Sequence, residues 1–215
     1  MDNFTSNDAE TLAKKGSSKS SMRTRMIVTT GMLGALSAIL MLFEFPFPLA
    51  PTFIKFDFSE LPVILGGFLF GPVAGCIVAL IKILLNFVLN GTSTAGVGEV
   101  ANLVGSICFI LPASIIYFKN KTRKRAAIGL VAGTVSTSVV MSLMNAFLLC
   151  PLYIKLFGMT EEVLIGMGSA TNPFVHDMLT LVLCSIFPFN IVKYGIVSVI
   201  TFLIYKRISK FVKAE

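Results

Sequence analysis

Long apolar runs alternate with short polar stretches along most of this chain. Six of them read as membrane helices: residues 25–43, 59–70, 72–89, 97–118, 126–150 and 182–205. A helix needs about 20 mainly apolar residues to cross a hydrocarbon core. The second run is short, and Gly71-Pro72 separates it from the third, with Gly66-Gly67 just before the break. Proline removes a backbone donor and biases the residue before it away from helix, so a tight reversal is expected there instead of one tilted helix. The pattern predicts an all-α membrane protein with six transmembrane helices in a compact bundle and a long, Pro-rich outer loop after helix 1. Residues 1–24 are polar, lack the apolar core of a secretory signal, and read as a disordered cytoplasmic tail ahead of a membrane domain over 25–213. No internal repeat is evident.

Composition sharpens this. Residues of the hydrophobic set make up 55% of the chain and charged residues only 13%, with a mean hydropathy of +0.85. A soluble domain carries about a quarter charged residues; this chain needs the lipid bilayer as its solvent. The net charge of +7 does not point to nucleic acid, because the basic residues sit beside the apolar runs, where they hold a topology. Lys14, Lys15, Lys19, Arg23 and Arg25 precede the first run; Lys119, Lys121, Arg123, Lys124 and Arg125 follow the fourth; Lys206, Arg207, Lys210 and Lys213 follow the sixth. With six spans all three clusters fall on one side, the cytoplasmic side, together with both termini; with five they would be split.

The two long connections on the other side are acidic. The first, 44–58, reads EFPFPLAPTFIKFDF, bracketed by Glu44 and Asp57; its prolines at 46, 48 and 51 predict a stiff, extended strap rich in Phe. The second, 151–181, holds Gly158, Gly166, Gly168 and Pro173 and is expected to be more flexible.

A charge at the bilayer centre costs at least about 2.5–3.5 kcal/mol, so ionisable residues inside spans are functional hypotheses by default. Lys193 lies midway along the sixth run with Asn190 three residues before it, on the same helix face. Lys82 and Asn86 are four apart in the third run, again on one face. Asn145 lies near the outer end of the fifth, and Glu44 ends the first. Glu44, Asn86, Asn145 and Asn190 all fall in the outer half of the membrane, and Lys193 points into the same region. A polar pocket open to the outside and roofed by the strap is expected there. Interhelical hydrogen bonding is the structural alternative, with Lys82 paired to an acidic residue. The 19 Phe suit a flat heteroaromatic ligand with a polyhydroxyl tail, without selecting one vitamin.

Other chemistry is missing. There is no GxxxxGK[ST] loop for ATP and no H-E-x-x-H. Cys76, Cys108, Cys150 and Cys184 have no metal-ligand spacing and read as small buried residues; His176, beside Asp177 in a connection, reads as solvated. Nothing suggests an enzyme. The residues alone also fit a stand-alone secondary transporter, proton-coupled through Glu44 or Lys193, or an assembly factor with no small ligand.

The stretch FDFSELPVILGGFLFGPVAGCIVALIK, followed by Asn86 and NGTSTAGVGEVANLVGS, resembles the S components of energy-coupling factor (ECF) transporters. EFPFPLAPTFIKFDF, Asn145 in LMNAFLLCPLY, and Asn190 with Lys193 in PFNIVKYG resemble the riboflavin-specific branch. The resemblance covers about 25–213. It implies a bacterial cell-membrane protein that binds riboflavin from outside as a transported ligand, with no resident cofactor; another vitamin is the alternative. It implies a partner module of a membrane T component and two ATPases. By motif, Glu44, Asn145, Asn190 and Lys193 would contact riboflavin, with Asp57 near the strap. The family's first helix carries an Ala-xxx-Ala patch against the T component; here Gly31 with Ala35 and Gly34 with Ala38 give two overlapping registers.

Overall fold

The computed structural model describes the backbone of residues 6–213 except 49, 52, 53 and 93, and the side chains of 22–204 with the same exceptions. Gly71, at a φ of 101°, turns the chain back between α2 (Glu60–Phe70) and α3 (Pro72–Asn90). Glycine is at home in that conformation, and Pro72 at the start of α3 gives up an N–H that would have no helical partner anyway. The two helices touch backbone to backbone: a Cβ on Gly75 would stand 2.9 Å from the Cα of Gly67. The reversal expected at Gly71-Pro72 is present.

The other helices are α1 (Ser6–Leu42), α4 (Val97–Lys119), α5 (Arg123–Met144), α6 (Cys150–Phe157), α7 (Glu161–Ser169), α8 (Met178–Thr180) and α9 (Phe187–Lys213). One π-helical segment, Asn145–Leu149, joins α5 to α6, and another, Leu181–Ile186, joins α8 to α9. Two findings depart from the sequence expectation. The helix of α1 begins at Ser6, inside the stretch expected to be a disordered tail; Asp8–Lys15 there is rich in helix formers. The connection 151–181, expected to be flexible, is largely helical, with Thr160 capping α7 and an Asp177–Thr180 capping box starting α8.

Five described stretches are long and apolar enough to cross a membrane: Met22–Leu42, Pro72–Asn90, Val97–Lys119, Arg123–Phe157 and Met178–Ile204. The apolar α2 has 11 residues, about 16 Å at 1.5 Å per residue, roughly half a hydrocarbon core. The connection 43–59 precedes it, with Ala50, Phe56 and Asp57 buried and Phe43, Phe45 and Lys55 exposed. That connection folds back on itself instead of running as one extended strap: β1 (Phe45–Pro46) pairs antiparallel with β2 (Lys55–Phe56), Phe45 opposite Phe56. Phe53 lies outside the described residues.

Close backbone approach holds the bundle, as expected where lipid supplies no hydrophobic drive between helices. A Cβ on Gly129 of α5 would stand 2.5 Å from the Ala113 carbonyl oxygen of α4, and one on Gly133 2.6 Å from that of Phe109. Val63, Ile64, Phe68, Phe109, Tyr117 and Val197 form the central core. Large apolar side chains such as Val73, Leu84, Val88, Val131 and Leu203 point outward, the surface a lipid-facing bundle requires. The bundle has two distinct ends. At one, Gly71 lies near Phe118, and Lys121 and Arg123 stand over Phe118 and Phe202. The other gathers the β1–β2 connection, the α3–α4 turn and α6.

Candidate functional site

At that second end two hollows share Lys55, Gly98, Asn102 and Tyr153 in their walls and so form one cleft. The first has a volume of about 120 Å³ and is lined by Met141, Leu149, Ile186 and Phe189, with Asn145, Asn190 and Lys193 among its polar groups. The second has a volume of about 320 Å³ and is polar, with Glu44, Asp57, Asn86, Asn90 and Glu99 among its lining residues. Small-molecule sites combine apolar walls with a few placed polar groups; the first hollow has both, with a larger polar share, since Lys55, Asn102, Tyr153 and Tyr194 also line it.

The local sequence explains how these side chains arrive. Both π turns stand immediately before a Cys-Pro or Phe-Pro pair. The Cys150 N–H reaches the Asn145 carbonyl, and the Phe187 N–H reaches the Val182 carbonyl, each five residues back. A proline in a helix clashes with the carbonyl four residues earlier; the wider π turn absorbs that ring and lets the helix continue. Pro151 therefore does not end the fifth helical run. The Cys184 carbonyl, four residues before Pro188, accepts the Asn172 Nδ2 at 2.8 Å. Asn145 opens the first π segment, and Asn190 follows the second. Each donates its Nδ2 to its own helix one turn back, Asn145 to the Met141 carbonyl at 2.8 Å and Asn190 to that of Ile186 at 2.9 Å. The remainder of each carboxamide is left for other partners.

Lys193 is 5% exposed and its Nζ donates to Asp57 Oδ2 at 2.7 Å. Asp57 Oδ1 accepts the Ser59 N–H at 2.8 Å. Burial opposes the charge on Asp57, but the Lys193 ammonium and then that of Lys82 outweigh it, aided by hydrogen bonds from Lys193 and Ser59. The carboxyl is held below the usual carboxylate range. Glu44 pairs with Lys55 across the connection. Phe45, Phe56 and Phe58 pack on one another, and Phe47 meets Phe189 of α9 edge-on at 5.5 Å. The connection thus closes one flank of the first hollow.

Asn145, Asn190 and Lys193 come together as the sequence suggests, and Glu44, Asp57 and Asn86 meet in the adjoining hollow. Lys82 does not join them. Its Nζ donates to Glu60 Oε1 at 2.7 Å and Ser106 Oγ at 2.9 Å, and the side chains of both Lys82 and Glu60 are 0% exposed. It lines neither hollow. The sequence reading passed over Glu60, Glu99, Asn102 and Tyr153. Glu60 carries a legible signal, a carboxylate opening an apolar helix in a chain with an intramembrane lysine to pair. Glu99, Asn102 and Tyr153 enter the site only through the way three connections fold together.

The small residues of α1 divide by register. A Cβ on Gly34 would fall 2.5 Å from Ile81 Cγ2, and Ala38 is buried. That register is taken up by packing on α3. A Cβ on Gly31 would meet nothing within 4 Å, and Gly31 borders an apolar groove of about 440 Å³ walled also by Met26, Ile27, Phe70, Val73 and Ile77.

The chain matches the family described as ECF transporter, substrate-specific component, over residues 25–205. It is 33% identical over 189 residues to the riboflavin transporter RibU of Staphylococcus aureus (strain TCH60), covering 88% of this chain and 93% of that protein. It is 32% identical over 198 residues to the riboflavin transporter FmnP of Bacillus subtilis (strain 168), covering 90% and 97%. A solved structure described as "Structure and mechanism of the S component of a bacterial ECF transporter" superposes with a TM-score of 0.70 at 34% identity, over 89% of this chain and 99% of that one.

Proposed function

The chain belongs to the family of ECF transporter substrate-specific components, and from that membership we propose that it captures riboflavin for uptake, with Asn145, Asn190 and Lys193 as direct ligand contacts. The observation that carries the reading is the meeting of those three costly polar groups in one hollow, beside the apolar side chains of Met141, Leu149, Ile186 and Phe189. The pyrimidine edge of a flavin offers two carbonyls and an imide N–H. Two carboxamides and an ammonium supply donors and acceptors for them, while Met141, Leu149, Ile186 and Phe189 cover the ring faces. Glu44, Asp57 and Asn86 meet the hydroxyls of the tail from the second hollow.

The same reading orients the molecule. The cleft faces the outside, and the basic end around Lys119–Arg125 faces the cytoplasm with both termini. The α2 helix counts as a sixth crossing, completed by the Pro-rich connection above it. That connection lies across the cleft as its outer cover. With no ATP-binding loop of its own, the chain delivers its ligand through a separate module of a T component and two ATPases. The open Gly31/Ala35 register of α1 is the face left for that partner, in the membrane of a bacterial cell.

The test is an absorption spectrum and a riboflavin titration of the purified protein. Lys193→Ala and Asn190→Ala are each expected to weaken binding at least about tenfold, roughly 1.4 kcal/mol. Curves that overlay the parent's would remove those residues from the site, and a parent that binds no riboflavin would remove the reading.

A further inference from the structure

The groove of about 440 Å³ beside Gly31 lies away from the cleft, on the flank where α1 meets α3. Met26, Ile27 and Gly31 wall it on one side, Val73, Ile77 and Ile81 on the other. Both walls belong to stretches long and apolar enough to cross a membrane, so the groove opens into hydrocarbon. Thr30 is the one polar residue in its lining and is buried. The inner end is closed where Ile81 takes the space a Cβ on Gly34 would need. Val73 and Ile81 stand about 12 Å apart along α3, most of the roughly 15 Å of hydrocarbon in one leaflet. A groove of that length left unfilled forfeits dispersion contacts along its whole wall.

The open end is basic. Arg23 precedes Met26 and Ile27 by three and four residues, which puts it one turn beyond them on the same helix face. Phe70 ends the groove wall from α2. A Cβ on the next residue, Gly71, would stand 3.6 Å from the Phe118 ring, and Lys121 Nζ lies 4.7 Å from the centroid of that ring. Arg23 and Lys121 are exposed, and neither has an acid partner among the described residues. No Asp or Glu occurs in 22–42, in α3 or in the turn 119–125, and Glu60 opens α2 at the end away from Phe70. We propose that this groove is a binding site for an anionic phospholipid of the surrounding bilayer. One acyl chain lies between α1 and α3, and the headgroup phosphate meets Arg23, with Lys121 adding to the positive field. A guanidinium can hold a phosphate through two parallel hydrogen bonds. A zwitterionic lipid would bring its own cation among these bases and is held less well. Ala35, the other small residue of the open register, lies outside the groove lining. A protein docking on that register would displace the lipid, so the site belongs to the undocked chain. The inference does not rest on the riboflavin reading.

Photolabelling of the purified full-length chain in phosphatidylcholine vesicles tests this. The probe is a trace of phosphatidylglycerol carrying a diazirine midway along one acyl chain; the comparison probe is phosphatidylcholine with the same chain. The anionic probe is expected to label residues 26–31 and 73–81 at least about fivefold more than the outward face around Val131, and at least about fivefold more than the zwitterionic probe labels the same segments. Arg23→Gln combined with Lys121→Gln should bring the two probes level in the groove. Gly31→Leu, which puts a side chain into the groove, should cut labelling there by either probe at least about threefold. Equal labelling of the parent's groove by the two probes would overturn the proposal. So would label spread evenly over the outward faces, a preference that survives loss of both charges, or groove labelling that Gly31→Leu does not change. A parent that takes no label in the groove, while chains carrying Val73→Cys cross-link to one another, would give the groove to a second copy and overturn it as well. If Gly31→Leu does not fold, the two-probe comparison on the parent and on the charge variant still decides.

Discussion

Lys82 and Lys193 place an ammonium inside the same bundle, and each is held by a carboxylate at 2.7 Å. The Lys82–Glu60 pair is wholly buried and belongs to the framework, so its two partners behave differently alone and together. Breaking a buried pair by removing one partner costs about 3–5 kcal/mol, whereas replacing both leaves no stranded charge and is close to neutral. Lys82→Met is therefore expected to lower the unfolding temperature of the detergent-solubilised protein steeply, and Glu60→Gln added to it to restore most of the loss. A double variant as unstable as the single would contradict the pairing. Asp57 gives a pH signature. Its folded carboxyl titrates below the reference value of 3.8, so its contribution to stability is whole above that value and is lost as pH falls through the lower, folded one. The stability gap between the parent and Asp57→Asn should hold constant from about pH 7 to about pH 5 and shrink only below about pH 4; a gap that closes between 7 and 5 would place the titration on another group. The convergence of Asn145, Asn190 and Lys193 was legible because each is too costly to bury without a use. The division between Lys82 and Asn86 was not. Helical spacing puts them on one face, but it does not say that Glu60 and Ser106 lie at the level of one and an empty hollow at the level of the other.

At the scale of elements, glycines and prolines decide what the chain can do, and their meaning was only partly readable. Gly71-Pro72 announces a reversal because a lone proline after glycine opens a helix. The fifth run was expected to end at 150, before Pro151, and the sixth to pass through Pro188; both prolines follow π turns and neither ends its helix. A sequence gives no sign of the one-residue widening that makes this possible, nor of the contact from Asn172 to the Cys184 carbonyl that accompanies the second one. The 151–181 connection was misread for a related reason: its glycines suggested flexibility, while Thr160 and Asp177 were capping helices. On α1 the two small-residue registers were indistinguishable in sequence and are separated by what faces them. Gly34→Leu would drive a side chain into Ile81 and is expected to reduce the yield and thermal stability of the folded protein. Gly31→Leu enters open space, so it should preserve folding and riboflavin titration while lowering riboflavin uptake by cells that carry the partner module. Equal effects of the two substitutions on stability would show that the registers are not divided in this way.

At the scale of the whole molecule, the half-length α2 shapes both site and topology. The connection 43–59 leads directly into it, and the end of that connection brings Asp57 to Lys193, at the end of the bundle where the cleft lies. The opposite end carries Lys119–Arg125. Basic residues are held on the cytoplasmic side, so the two ends should face opposite compartments. Whether α2 counts as a crossing then fixes the side of every later connection. If it does, four crossings separate Arg23 from Lys121 and both lie inside; if it does not, three crossings put them on opposite sides. Single cysteines at Arg23, Lys121 and Glu162, each exposed, placed in a chain freed of its four native cysteines, distinguish these arrangements in intact cells. A membrane-impermeant maleimide is expected to label the cysteine at Glu162 directly and those at Arg23 and Lys121 only after lysis. Labelling of Arg23 and Lys121 on opposite sides would mean that the chain reverses at Gly71 without crossing. Labelling of both from outside would turn the cleft toward the cytoplasm, where it could not collect a ligand from the medium.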